Sequence, residues 1–88
     1  MTREEKETIA TQLMAIDLRS DSARSARRRA LEKLNQYVSS NNPLHLSYAI
    51  DELGILCKVL LDAKAPNKAS QVKSIGQLLQ PHIDAAGL

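Results

Sequence analysis

The stretch Ser39-Ser40-Asn41-Asn42-Pro43 divides the two most strongly patterned segments of the chain, and its reading decides the fold. Asparagine tolerates the left-handed backbone that ends a helix, and a proline in the first helical turn has no amide that the helix would need. The segment therefore closes one helix and opens the next within a few residues, and it is the clearest boundary in the chain.

Upstream, Ala23, Ala26, Ala30, Leu31, Leu34, Tyr37 and Val38 fall within about 140° of arc at helical spacing, which predicts an amphipathic helix over 22–39. Its small residues come first, so its N-terminal half is expected to approach a neighbour closely. Ser20, Asp21 and Ser22 all offer N-caps, with no Gly or Pro to force a turn.

Downstream, a third helix is expected over 43–64, stopped by Pro66, which disfavours helical geometry in the residue before it. Leu46, Ala49, Ile50, Leu53, Leu56, Cys57, Leu60 and Leu61 form its core face. Leu44, Tyr48, Ile55 and Val59 cluster within about 60° on the other side, bordered by Asp51, Glu52, Lys58 and Asp62. One layer of neighbours cannot cover both faces, so this helix is either central, enclosed on two sides, or lies at a dimer interface. Gly54 falls between the faces and permits close helix contact in either case.

Toward the N-terminus, Thr2 and Glu5 make a capping box that starts a helix near residue 3, and its apolar stripes, Ile9, Leu13, Ile16 and Ala10, Met14, Leu18, extend it to about 19. Toward the C-terminus, Val72, Ile75, Leu79 and Ile83 predict a helix over 68–86, kinked or ended near Gln80 by Pro81 and capped by Gly87. No stretch alternates like a strand, so the chain reads as all-α: a small bundle of four helices (3–19, 22–39, 43–64, 68–86) in a single domain, 1–88.

Composition narrows the function. Eighty-eight residues with 43% hydrophobic side chains exclude a large enzyme with a deep cleft. A single cysteine forms no internal disulfide, and without a leader-like or membrane-length apolar run the expectation is a soluble protein of the reducing cytoplasm. His45 and His82 are far apart, no Cys/His/Asp/Glu cluster has metal-ligand spacing, and phosphate-loop, dinucleotide and nucleophile-elbow motifs are absent. Asp51 and Glu52 are adjacent and diverge on a helix, and Cys57 reads as a small buried hydrophobe. No catalytic residue, cofactor or metal is therefore assigned.

What remains are surfaces. The charge asymmetry sits in residues 23–42, with five basic side chains against one acid. Arg24, Arg28, Arg29 and Lys33 occupy the polar face, suited to phosphates or to no more than solvent, with a pair between Arg28 and Glu32 as the solvated alternative. Arg27 falls inside the apolar arc, where a guanidinium needs a partner: Asp17, Asp21, Asp62 or Asp84 within the chain, or an acidic group on another molecule. The expected function is a protein-binding regulator, such as an adaptor, inhibitor, antitoxin or secretion-chaperone-like protein. Leu44, Tyr48, Ile55 and Val59 would be its anchors, with Arg24, Arg27, Arg28 and Arg29 orienting the partner. The same stripe would also serve a homodimer. The alternative is a nucleic-acid-binding regulator that uses the arginine-rich helix; it lacks the aromatic interleaving and the known motifs of that class.

Overall fold

The computed structural model describes residues 1–88, which form five α-helices and no strand: α1 (Arg3–Met14), α2 (Asp21–Ser40), α3 (Pro43–Asp62), α4 (Pro66–Gln77) and α5 (Gln80–Ala86). The Asn41-Asn42 link behaves as its residues dictate. Asn41 adopts φ 55° and donates its backbone N–H to Tyr37 O at 2.8 Å, while the Asn42 side chain accepts from Leu44 N–H at 3.0 Å ahead of Pro43. The resulting α2–α3 hairpin is the largest packing contact in the molecule. Its two 20-residue helices, each about 30 Å long at ~1.5 Å per residue, set the 34 Å long dimension of the molecule.

Around this hairpin α1 packs on α2, α4 packs on α3, and α1 meets α4, closing a four-membered ring. Every buried residue is hydrophobic, and the interior is drawn from α1 to α4 and their connections. Ala23, Ala26 and Ala30 are buried along α2, as their small size and spacing lead one to expect. Ile83 and Ala86 of α5 pack against the edge of the core.

Three of the expected four helices are shorter than their patterns suggest, the third by only two residues at its C-terminus, where it stops at Asp62. The first ends at Met14, and residues 16–19 run non-helical with Ile16 and Leu18 buried and Asp17 and Arg19 exposed. That alternation is a period of two, and it satisfies the same apolar residues that a longer helix would have used. The fourth breaks at Leu78–Leu79, so that Pro81 falls in the first turn of a separate α5. A proline has no N–H to give the carbonyl of Gln77, and the chain turns there through Leu78 N–H to Ile75 O and Leu79 N–H to Gly76 O, both at 3.0 Å. Leu79, fully buried, pins the turn to the core.

The C-terminus of α3 closes through Ala65 N–H to Leu60 O at 2.8 Å and Lys64 N–H to Leu61 O at 3.0 Å. This pairing requires a left-handed residue, and Lys64 supplies it with φ 60°. A side chain there is strained by about 1 kcal/mol. Lys64→Gly is therefore expected to raise the unfolding free energy by roughly 0.5–1 kcal/mol, read as a higher urea midpoint at unchanged slope.

The N-terminal capping box is complete: the Thr2 hydroxyl accepts from Glu5 N–H, and a Glu5 carboxylate oxygen accepts from Thr2 N–H, both at 3.1 Å. The other carboxylate oxygen of Glu5 lies 2.6 Å from His82 Nε2, tying α5 to the start of α1. Thr2 N–H, then His82, hold the Glu5 carboxyl down to about 2. A lowered folded-state value means a contribution present above the ordinary carboxyl range and lost as pH falls toward 2. Glu5→Gln, which keeps the cap geometry, should flatten the loss of stability between about pH 4.5 and 2. Thermal unfolding followed across that window checks it; an unchanged acid limb would remove Glu5 from the account.

Candidate protein-binding surface

The outward side of α3 is open. α2 and α4 flank this helix, but no other helix lies over the side opposite its core residues, so of the two alternatives drawn from the sequence the enclosed central helix does not hold. Leu44 is 56% exposed, Tyr48 47% and Ile55 45%. These three share one face, as their spacing implies. Val59, grouped with them by angle, is half-buried and packs against the core beside α2, so it is not a free anchor.

Leu61, expected in the core, is instead 57% exposed on the far margin of the same outward side. Its position at the edge of the apolar arc is the signal that separates it from Leu60. Met14 is likewise exposed, because α1 ends there and the chain turns its next apolar residues inward. A Cβ built on Gly54 would meet no atom within 4 Å, so contacts inside the chain do not require a glycine at this place.

The α2 side of this surface carries charge. Arg29 Nε donates to Glu52 Oε2 at 2.9 Å, and the Lys33 ammonium lies 5.5 Å from the centre of the Tyr48 ring, within cation–π range. These contacts orient Tyr48 and Glu52 along the hairpin. Asp51, Lys58 and Asp62, on the outward side of α3, take part in no ion pair.

The other arginines of α2 turn away from this surface. Arg24 pairs with Asp21 and donates to Leu18 O at 3.1 Å. Arg28 is exposed and makes no ion pair, so the expected partner Glu32 is not engaged. Arg27 binds none of the four acids considered for it. Its Nη1 donates to Leu13 O at 3.2 Å and Ile16 O at 2.9 Å, carbonyls at and just beyond the end of α1, where Leu13 O also accepts from Ile16 N–H.

α1 has no basic residue in its own last turn, and this guanidinium supplies the positive charge its C-terminus favours. Lys68 does the same for the following residue, donating to Asp17 O at 2.7 Å. Carbonyl acceptors are invisible to a search for oppositely charged side chains, which is why spacing alone misses both contacts.

The remaining chemistry-bearing groups are dispersed. Cys57 points its thiol at Ala69 O, 3.7 Å away, and burial raises its pKa, the opposite of what activates a nucleophile. His45 encloses its Nδ1 without a hydrogen-bond partner near the start of α3, far along the chain from His82, which is engaged with Glu5. No three His, Cys, Asp or Glu side chains converge as a metal site would need, and no helix is long and apolar enough to cross a membrane. An open hollow of about 560 Å³ between α1 and α4 is lined by Gln12, Ser70, Gln71 and Ser74 with Ala15, Ile16 and Ile75, and includes no titratable side chain. Comparison with protein-family models, with curated proteins and with solved structures finds no match to this chain.

Proposed function

We propose that this protein is a small non-enzymatic regulator that works by protein–protein contact, occupying a partner's surface with the outward side of α3. The adaptor, inhibitor, antitoxin and secretion-chaperone-like roles all fit that mode of action. The observation that carries the reading is the exposure of Leu44, Tyr48 and Ile55 on one helix face, while all other large apolar residues of α3 except Leu61 are buried or packed against the core. Scattered exposed leucines are ordinary on a protein surface, whereas an aligned apolar stripe on one rod is the usual form of a helix-mediated contact.

Tyr48 and Ile55 are the central anchors of this proposal, being aromatic and β-branched and flanked by charged residues that would form the rim. Arg29 and Lys33 border the stripe, where fixed charge would steer encounter. Arg24 and Arg27 are tied to backbone carbonyls at the end of α1 and in the α1–α2 connection, which favours the protein-contact reading over a nucleic-acid surface on α2. The proposed mode needs no cofactor. A reducing, cytoplasmic setting goes with it, since Cys57 has no second cysteine.

Recovery of bound macromolecules on the tagged protein from its host tests the reading. One protein should be enriched and then lost with Tyr48→Glu or Ile55→Asp, variants whose melting temperatures stay within a few degrees of the parent. Recovery of nucleic acid alone, abolished by neutralising Arg24, Arg28 and Arg29 and falling steeply with salt, would replace it with the nucleic-acid alternative.

A further inference from the structure

Resting on the reading that the outward side of α3 is a contact surface, we infer that its occupant is a second copy of this chain, laid antiparallel across it on a two-fold axis at Gly54–Ile55. The argument begins with Gly54. A glycine inside an exposed helix lowers its stability by about 1 kcal/mol relative to alanine, and nothing in the chain lies within 4 Å of where its Cβ would be. Contacts within one molecule do not account for it; close approach of another helix does.

The charges around Gly54 are self-complementary. Asp51 and Lys58 lie seven residues apart, about two turns, and therefore on nearly the same line of the helix surface. Both are exposed and neither is paired. An axis midway between them sets Asp51 of each copy opposite Lys58 of the other, giving two equivalent ion pairs.

The same operation sets the two Ile55 residues beside each other next to the axis and brings Tyr48 within about one residue's rise of the second copy's Asp62, a carboxylate that takes no ion pair within its own chain. On the other flank, Leu61 meets Ser47 of the second copy, a large residue against a small one. Parallel pairing would instead stack Asp51 on Asp51 and Lys58 on Lys58, which repel. A single helix face about 30 Å long gives an interface at the small end of the specific range, so association is reversible and concentration-dependent.

Sedimentation equilibrium of the whole chain up to about 1 mM tests this. The average mass should rise from monomer toward dimer with concentration. Asp51→Lys and Lys58→Asp should each weaken self-association at least tenfold, because each creates two like-charge contacts, while circular dichroism and melting temperature stay at parent values. Mixing these two variants should restore a one-to-one dimer, and the double variant carrying both changes should dimerise again by itself.

In a Cys57→Ser background, Gly54→Cys should form a disulfide-linked dimer on mild oxidation, since residues at the axis come within the ~7 Å that such a bond spans. A parent chain that stays monomeric throughout overturns the inference, as does a dimer indifferent to Asp51→Lys. A monomeric chain that still loses a host protein through Ile55→Asp would leave the contact-surface reading standing without the second copy. The predicted dimer with no host protein dependent on Ile55 would do the reverse.

Discussion

Leu34→Ala is expected to lower the unfolding free energy by about 3–5 kcal/mol, because it empties a fully buried site on α2 and the neighbouring side chains relax only partly into the space. The whole chain has roughly 4–13 kcal/mol to lose, on the scale of ~0.05–0.15 kcal/mol per residue. Its interior holds 18 of 88 residues, so few other contacts can compensate. The melting temperature should fall by more than about 12 °C, with the urea midpoint moving in parallel at unchanged slope. Leu61→Ala provides the comparison: with its side chain more than half exposed, it should shift stability by no more than ~0.5 kcal/mol in the monomer. Equal losses from Leu34 and Leu61 would mean that the α2–α3 contact is not the centre of the core.

Arg27→Met should cost about 2–3 kcal/mol although it removes no ion pair. The methionine keeps much of the apolar stem, but the carbonyls of Leu13 and Ile16 lose a charged donor where the end of α1 has no other side chain to offer. Because the acceptors are neutral, the loss should persist at high salt. Arg29→Met, which breaks the partly exposed pair with Glu52, should cost under ~1 kcal/mol and less as salt rises. Chemical unfolding of both variants at two salt concentrations separates the cases. Arg27→Lys should fall between parent and Arg27→Met, since an ammonium supplies a point charge rather than a planar fork. A salt-sensitive Arg27→Met would point to an acidic partner instead.

What could be read from the residues alone divides by range. Thr2 with Glu5, Asn41 with Asn42 and Pro43, and Gly87 act within one turn of themselves, and each caps its helix as its chemistry requires. Among Ser20, Asp21 and Ser22, competition between equivalent caps is settled by position: the Ser20 hydroxyl accepts from Ala23 N–H at 3.1 Å and α2 begins one residue early. Ile16 and Leu18 misled because either helical or extended geometry can direct both inward, and only the packing of α2 and α4 beside them decides which.

For the surface, Leu44, Tyr48 and Ile55 were legible as a stripe because angle alone places them. Val59 was not, because its angle leaves it beside α2, and the closeness of that neighbour is a tertiary fact. Arg27 combined both situations. Its position in an apolar arc announced an unusual partner, but the partner turned out to be backbone.

The hairpin of α2 and α3 turns on two residues, so its interface forms between segments adjacent in sequence. Low contact order of this kind favours rapid folding, with the short connection keeping the entropy of loop closure small. α5, seven residues long and without a side-chain N-cap, belongs to the weakest cooperative unit. Its amides should exchange with solvent while those at the middle of the hairpin remain protected, and the Glu5–His82 contact would then open without global unfolding.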